Sequence, residues 1–143
     1  IPVLYLSRHI IRTKADYYRL LQAVREDNAW EEWILYMLTA VENTSIATLR
    51  LVNGIRDAMQ DYKHRIRDKF KFYSQDLINN LFAHPYTKIE HVENDLDVSR
   101  LTATKYLDSL AEEGFLKKEK LGRSNYFINV ALFNLLTSEE QHD

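Results

Sequence analysis

Residues 99–129 read SRLTATKYLDSLAEEGFLKKEKLGRSNYFIN, and this stretch decides the fold. Ser99 is a strong helix N-cap, because a serine hydroxyl accepts a hydrogen bond from an otherwise orphaned N–H of the first turn. Ala103, Tyr106, Leu107 and Leu110 then recur at helical spacing and mark the buried side of a helix that runs through Glu113. Gly114 closes it, as the residue best able to take the left-handed backbone there. Phe115 to Lys120 is predicted as a strand, Leu121-Gly122-Arg123-Ser124 as a tight turn, and Asn125 to Asn129 as the returning strand. One helix therefore feeds directly into one hairpin.

Two more short helices precede it. Tyr73-Ser74 supplies an N-cap for Gln75 to Ala83, which carries Leu77, Ile78, Leu81 and Phe82 and is stopped by His84-Pro85. Lys88 to Asp95 is predicted as the next helix, with Ile89, Val92 and Leu96 facing inward and Leu96-Asp97-Val98 as turn residues before Ser99. Three short helices and a hairpin, with a four-residue turn between the second and third helices, is the order of a winged helix-turn-helix. Val130 to Thr137 adds a short apolar helix, and Ser138 to Asp143 an acidic tail expected to fray.

Upstream the pattern is entirely helical. Val3 to Arg25 suits two short helices divided at Thr13, which with Asp16 three residues on resembles a capping box. Asn28 is expected to cap a longer helix whose stripe Trp30, Trp33, Ile34, Met37, Leu38, Val41 should be a core face. The stripe pauses at Asn43-Thr44-Ser45 and resumes as Leu49, Val52, Ile55, Met59, Tyr62, Ile66 and Phe70, a second helix. The expected architecture is mainly α: a helical support over residues 1–72, then a winged helix-turn-helix domain with one β-hairpin over 73–143.

Composition narrows the function classes. The chain has 143 residues, 45% of them apolar and 28% charged, with only 3 Gly and 2 Pro, the profile of a folded, mostly helical chain of one or two small domains. Its 19 Lys plus Arg face 21 Asp plus Glu, so it is no bulk polycation, and any nucleic-acid contact must be local. With no cysteine, disulfide scaffolds, thiolate metal sites and cysteine nucleophiles are excluded, and a reducing, cytoplasmic compartment is the expectation. No apolar run approaches the ~20 residues of a membrane span, so no membrane partner is expected. The five histidines, His9, His64, His84, His91 and His142, never fall at i, i+4, and no phosphate-loop or nucleophile-elbow motif occurs. No catalytic residue and no metal site are assigned.

The candidate site follows from the predicted fold. In a winged helix the third helix enters the major groove, which offers Ser99, Arg100, Thr102, Thr104 and Lys105 to phosphates and base edges. Arg100 is the best base reader, because its planar fork matches the two acceptors of guanine. The hairpin adds Lys118, Lys120 and Arg123 around Gly122, where a missing side chain lets backbone approach phosphate. The charge balance is modest: from Ser74 onward 7 Lys plus Arg stand against 12 Asp plus Glu, a net of -5, whereas residues 99–125 hold 6 against 4. Lys63, Arg65, Arg67, Lys69 and Lys71 form a further basic run, read as cations placed at the C-terminal end of a long helix or as a second backbone contact. Trp30 and Trp33, at three-residue spacing, read as core.

Larger blocks carry a resemblance. Pro2-Val3-Leu4-Tyr5-Leu6-Ser7, Tyr17-Tyr18-Arg19-Leu20-Leu21, Val24-Arg25 and the run from Trp30 to Leu38 resemble the part of Fic-family proteins immediately downstream of the Fic active-site motif. The likeness continues through Asn80-Leu81-Phe82, His84-Pro85-Tyr86-Thr87-Lys88, Ser99-Arg100-Leu101-Thr102-Ala103 and Gly122-Arg123-Ser124-Asn125-Tyr126. It implies a parent enzyme that transfers AMP from ATP, with Mg²⁺, to a hydroxyl side chain of a target protein. It also implies a C-terminal winged helix. The family's catalytic loop, HPFxDGNGR, does not occur here, and His84-Pro85 continues as Tyr86-Thr87-Lys88 without Gly or Arg. Without that base and those phosphate-binding amides the chain is expected to be inert and to hold no cofactor of its own. Ser109, Glu113 and Gly114 fit the family's inhibitory-helix letters but are read as the closing of a helix.

The sequence also opens without Met, in an apolar run, so a fragment or processed form of something longer is expected. The resulting expectation is a regulatory or targeting C-terminal piece whose winged helix binds double-stranded DNA. The alternative is a protein-interaction or dimerisation module that recruits the protein to be modified. Self-association is expected in either case, because a helical support without its neighbours would leave apolar surface exposed.

Overall fold

The computed structural model describes residues 6–141. The helices are α1 (Leu6–Arg12), α2 (Lys14–Asp27), α3 (Trp30–Lys69), α4 (Gln75–Ala83), α5 (Ile89–Leu96), α6 (Arg100–Glu112) and α7 (Val130–Gln141). The strands are β1 (Tyr86–Thr87), β2 (Leu116–Leu121) and β3 (Ser124–Asn129). The chain is mainly α, with a helical bundle followed by a winged helix-turn-helix, as the periodicity predicts. No described helix is long and apolar enough to cross a membrane. Contacts divide the chain into one compact unit up to Val52 and another from Asn53.

In the first unit, α1 and α2 do part at Thr13, but not through a capping box. The Thr13 hydroxyl donates to the His9 carbonyl at 2.8 Å and meets the Tyr36 hydroxyl at 2.7 Å, and its side chain makes no cap bond to α2. A hydroxyl that reaches the i−4 carbonyl is lost to capping. Asn28 likewise does not start α3. It ends α2 in left-handed backbone at φ 55°, where its N–H donates to the Ala23 carbonyl, and its Oδ1 accepts from the Trp30 indole at 2.9 Å. Tyr17, Trp33 and Tyr36 pack as a ring cluster, with Tyr17 5.2 Å from Trp33 and 6.4 Å from Tyr36. Leu20 and Ala40 are buried.

α3 is one helix of 40 residues rather than two. Asn43-Thr44-Ser45 does not break it, because Thr44 Oγ1 donates to the Ala40 carbonyl at 2.7 Å and Thr48 Oγ1 to the Thr44 carbonyl at 2.8 Å. These hydroxyls are satisfied within the helix and have no need of a turn. The expected core face is also split. Trp33 and Met37 are half-buried on the side of Tyr36 and Ala40, whereas Trp30, Ile34, Leu38 and Val41 are 53, 50, 60 and 38% exposed. At 3.6 residues per turn these last positions lie about a quarter-turn away from the packed side.

The second unit is built on the C-terminal part of α3. Tyr62 and Ile66 are buried with Leu77, Ile78 and Leu81 of α4, Val92 of α5, Ala103, Leu107 and Leu110 of α6, and Phe115, Leu116 and Phe127 of the hairpin, with Met59 packed against them. This burial places the C-terminal part of α3 in the compact unit that begins at Asn53. Ser74 caps α4 by accepting from Leu77 N–H at 3.1 Å, and Ser99 caps α6 by accepting from Thr102 N–H at 3.3 Å. Gly114 has φ +78°. Asp97 to Ser99 join α5 to α6. α7 runs on to Gln141, past the tail predicted from Ser138, while His142 and Asp143 lie outside the described residues, as do Val3 and Leu4 of the first predicted helix.

The sheet has one strand more than the predicted hairpin. β2 and β3 pair antiparallel from Leu116↔Asn129 to Leu121↔Ser124, and β1 adds to the other side of β3 through Tyr86↔Ile128 and Thr87↔Phe127. Pro85 sets this up: it forces His84 out of helical backbone, and the extended chain that follows finds the free edge of β3. The buried polar groups are all met. Thr87 Oγ1 donates to Asn80 Oδ1 at 2.8 Å, and Asn80 Nδ2 donates to Asp95 at 2.7 Å. Asn129 Nδ2 donates to the Leu81 carbonyl at 2.9 Å, and its Oδ1 accepts from Leu132 N–H at 3.1 Å. Among the described residues no buried side-chain N or O lacks a partner.

Tyr62 is the polar keystone. Its hydroxyl donates to the Phe115 carbonyl at 2.7 Å and accepts from Ala131 N–H at 3.3 Å, and burial pushes its pKa above 10.0. Tyr62→Phe leaves the Ala131 N–H without this acceptor and the Phe115 carbonyl with only the Val130 N–H, and should cost about 1–3 kcal/mol in urea unfolding at pH 7. The folded state holds the phenol proton more tightly than the unfolded state. Stability from Tyr62 is thus complete below pH 10 and declines as pH rises through the folded-state pKa. Melts between pH 9 and 11 should show a steeper alkaline loss in the native protein than in Y62F.

Candidate nucleic-acid interface

The first turn of α6 and the turn of the β2–β3 hairpin converge. Arg100 and Arg123 line one small cleft of about 120 Å³ together with Lys88, Ile89, Glu90, Ser124 and Asn125. The Ser99 cap fixes where α6 begins and so where Arg100 leaves the helix. The hairpin turn fixes Arg123: Gly122 has φ +62° while Arg123 is not in positive-φ backbone. Glycine at the first central position of a two-residue loop with this pattern is the type II′ hairpin turn, whose twist matches that of the strands.

The predicted residues fall into distinct groups. Lys105, Lys120 and Arg123 are exposed and carry no ion pair among the described residues. Arg100 is exposed, with Nη1 3.4 Å from Glu93 Oε2, a long contact that solvent screens. Lys118 does not reach the hairpin tip. It stands opposite Phe127 in the sheet, with Nζ 2.7 Å from Asp108 of α6 and 5.4 Å from the Phe127 ring centre, so it ties the hairpin to the helix. The hydroxyls are engaged locally: Ser99 Oγ and Thr102 Oγ1 lie 2.9 Å apart, and Thr104 Oγ1 donates to the Arg100 carbonyl at 2.7 Å.

Lys88, Ile89 and Glu90 bring the start of α5 into the site, where sequence reasoning placed no site residue. Lys88 sits at the start of α5, with Nζ 4.8 Å from the Tyr126 ring centre. It reaches the hairpin because β1 pairs with β3, and a two-residue strand gives almost no periodic signal. Leu101 is 82% exposed on α6 beside Arg100. Its departure from the inward pattern of Ala103 and Leu107 was the available clue.

Three of the five cations in the basic run from Lys63 to Lys71 are engaged elsewhere. Arg65 pairs with Asp61 at 2.9 Å and lies 4.5 Å from the Phe115 ring centre, Arg67 lies 4.8 Å from that of Tyr73, and Lys69 pairs with Glu113. Glu113 is the C-cap of α6, and its N–H donates to the Ser109 carbonyl. The three glycines do not form a nucleotide cradle: Gly54 lies inside α3, Gly114 precedes β2 and Gly122 sits in the hairpin turn. Among the described residues no group of three His, Asp or Glu is placed to hold a metal ion.

A helix-turn-helix whose third helix is followed by an antiparallel ribbon, with basic side chains from both at one cleft, defines a winged-helix protein. The family model for the C-terminal domain of SoFic-like protein adenylyltransferases matches residues 58–132, more than half of the chain. The chain belongs to that family. The matched segment opens on α3 just before Met59 and ends in α7, and so takes in the helix that carries Tyr62 and Ile66 together with the whole winged helix.

Gly122→Ala tests the turn. A Cβ there would meet nothing within 4 Å, so the cost is backbone strain alone, about 1–2 kcal/mol. Hydrogen exchange should speed up in β2 and β3 near the turn, while the amides of α4 remain protected.

Proposed function

We propose that the winged helix docks on double-stranded DNA, with the first turn of α6 at base edges in the major groove and the β2–β3 turn on the phosphate backbone. The reading rests on one observation: Arg100 and Arg123, from elements 23 residues apart in sequence, line the same cleft. In this reading Arg100 reads guanine, Lys105 follows the groove, and Lys88, Lys120 and Arg123 contact phosphates. The role is regulatory or targeting, within a protein whose AMP transfer from ATP to a protein hydroxyl is carried out by residues other than these.

One observation favours a second reading, in which the winged helix recruits the protein to be modified. Leu101 is 82% exposed next to Arg100 in the first turn of α6, and the segment from Ser74 carries a net charge of -5. An apolar residue among paired charges suits a protein surface as well as a thymine methyl.

Binding to a duplex library at about 50 mM salt separates the two. On the DNA reading, Arg123→Ala weakens binding to all sequences and lowers the salt slope by about 1, while Arg100→Ala costs about 1–3 kcal/mol at the preferred site and relaxes its sequence preference. Absence of duplex binding by the native chain at low salt, or binding that ignores both substitutions, overturns it. Loss of a protein partner on Leu101→Asp, with duplex behaviour unchanged, establishes the second reading instead.

A further inference from the structure

Six of the eight exposed large apolar residues of α3 are symmetric about one point, while Trp30 and Ile34 mirror Asp57 and Asn53 and stand outside the pattern. Counting outward from the middle of the bond between Asn43 and Thr44, Val41 and Ile46 stand equally far out, as do Leu38 and Leu49, and Leu35 and Val52. All six are 38 to 62% exposed. At 3.6 residues per turn they fall on one face about 140° wide. One turn beyond this set, on the same unbroken helix and the same face, Glu31 and Arg56 are again equidistant from the centre. Leu38, Leu49, Glu31 and Arg56 lie closest to the midline of the face.

From this we infer that the α3 face is the isologous interface of a homodimer, in which α3 of a second copy packs antiparallel across a two-fold axis level with Asn43–Thr44. A two-fold interface requires a self-complementary surface, and the reversed copy supplies one. Leu49 comes level with Leu38 near the centre, and Arg56 comes level with Glu31 at both ends. Among the described residues Arg56 pairs with its exposed neighbour Asp57, at 2.9 Å, and such an exposed pair is cheaply exchanged. The apolar surface removed is on the order of 600 Å² per copy, so two copies bury on the order of 1,200 Å², the lower end of the standard interface class. The inference does not depend on DNA binding.

The register gives a sharp test, made clean by the absence of native cysteine. Near the axis Glu42 faces its own counterpart, whereas Asn43, one residue on, points away. Under mild oxidation Glu42→Cys should therefore run as a disulfide-linked dimer, and Asn43→Cys should stay single. In sedimentation velocity the native chain should be dimeric at micromolar concentration, and Leu38→Asp should be monomeric with unchanged helicity. Glu31→Arg and Arg56→Glu should each weaken the dimer at least tenfold and together restore it. A monomeric native chain, or equal cross-linking at positions 42 and 43, overturns the proposal.

Discussion

The second unit is registered on one buried phenol. Tyr62 sits on α3, yet its hydroxyl is bonded to the carbonyl of Phe115 and the amide of Ala131, the residues where the hairpin departs and returns. Its ring is held edge-on by Phe82 at 5.3 Å and Phe115 at 5.0 Å. A hydroxyl in an apolar core is tolerated only when it is bonded, and here it meets two backbone groups that the ladder between β2 and β3 leaves over. The Val130 amide closes the same junction by donating to the Phe115 carbonyl. The constraint is thus shared: helix α3 needs the hairpin root to satisfy Tyr62, and the hairpin root needs α3 to satisfy its own polar atoms. The positions of α6, just before Phe115, and of the β2–β3 turn both follow from that junction.

The elements that could be read from sequence are those whose boundaries are set by chemistry within four residues. Ser74 and Ser99 cap because their hydroxyls reach N–H groups three residues on, and Gly114 and Gly122 adopt backbone that other residues pay to enter. The misreadings share a cause as well. Thr13 and Thr44 have the same hydroxyl as a cap, but each sends it back to the i−4 carbonyl. Asn28 spends its cap chemistry on the end of α2 and on the Trp30 indole. Which of two adjacent polar groups a hydroxyl or amide takes is decided by what packs beside it, as Tyr36 beside Thr13 shows. β1 is a further step removed, since its existence depends on an edge of β3 that lies some forty residues away.

The candidate site shows the same split. The types at Arg100 and Arg123 and the elements carrying them were legible, because a capped helix and a glycine turn place them. That Lys118 faces α6 was not, because its partner Asp108 lies ten residues back and meets it only once the strand folds over the helix. The basic run from Lys63 to Lys71 reads on paper as a positive surface. In the fold, Arg65 and Arg67 lie over aromatic rings and Lys69 pairs with Glu113, so most of that charge serves the packing of α3 against the winged helix.

What remains at the cleft is a question of competition rather than of net charge. Carboxylates far from the contact are screened within about 8–10 Å at physiological salt, so the -5 carried from Ser74 onward acts on approach more than on contact. The neighbours that matter are Glu90, which lines the cleft, and Glu93, which stands 3.4 Å from Arg100. An exposed pair at that distance is worth at most about 1 kcal/mol, less than the charge-assisted, two-pronged bond a guanidinium makes with guanine or phosphate. Arg100 can therefore exchange one acceptor for a better one at little cost. Lys118, whose bond to Asp108 is short at 2.7 Å and whose chain lies along the Phe127 ring, gives up packing as well as charge if it moves. Both are cations on the surface of the same winged helix, and it is this difference in what each would forfeit that leaves Arg100 free to take a new partner and holds Lys118 in place as a strut.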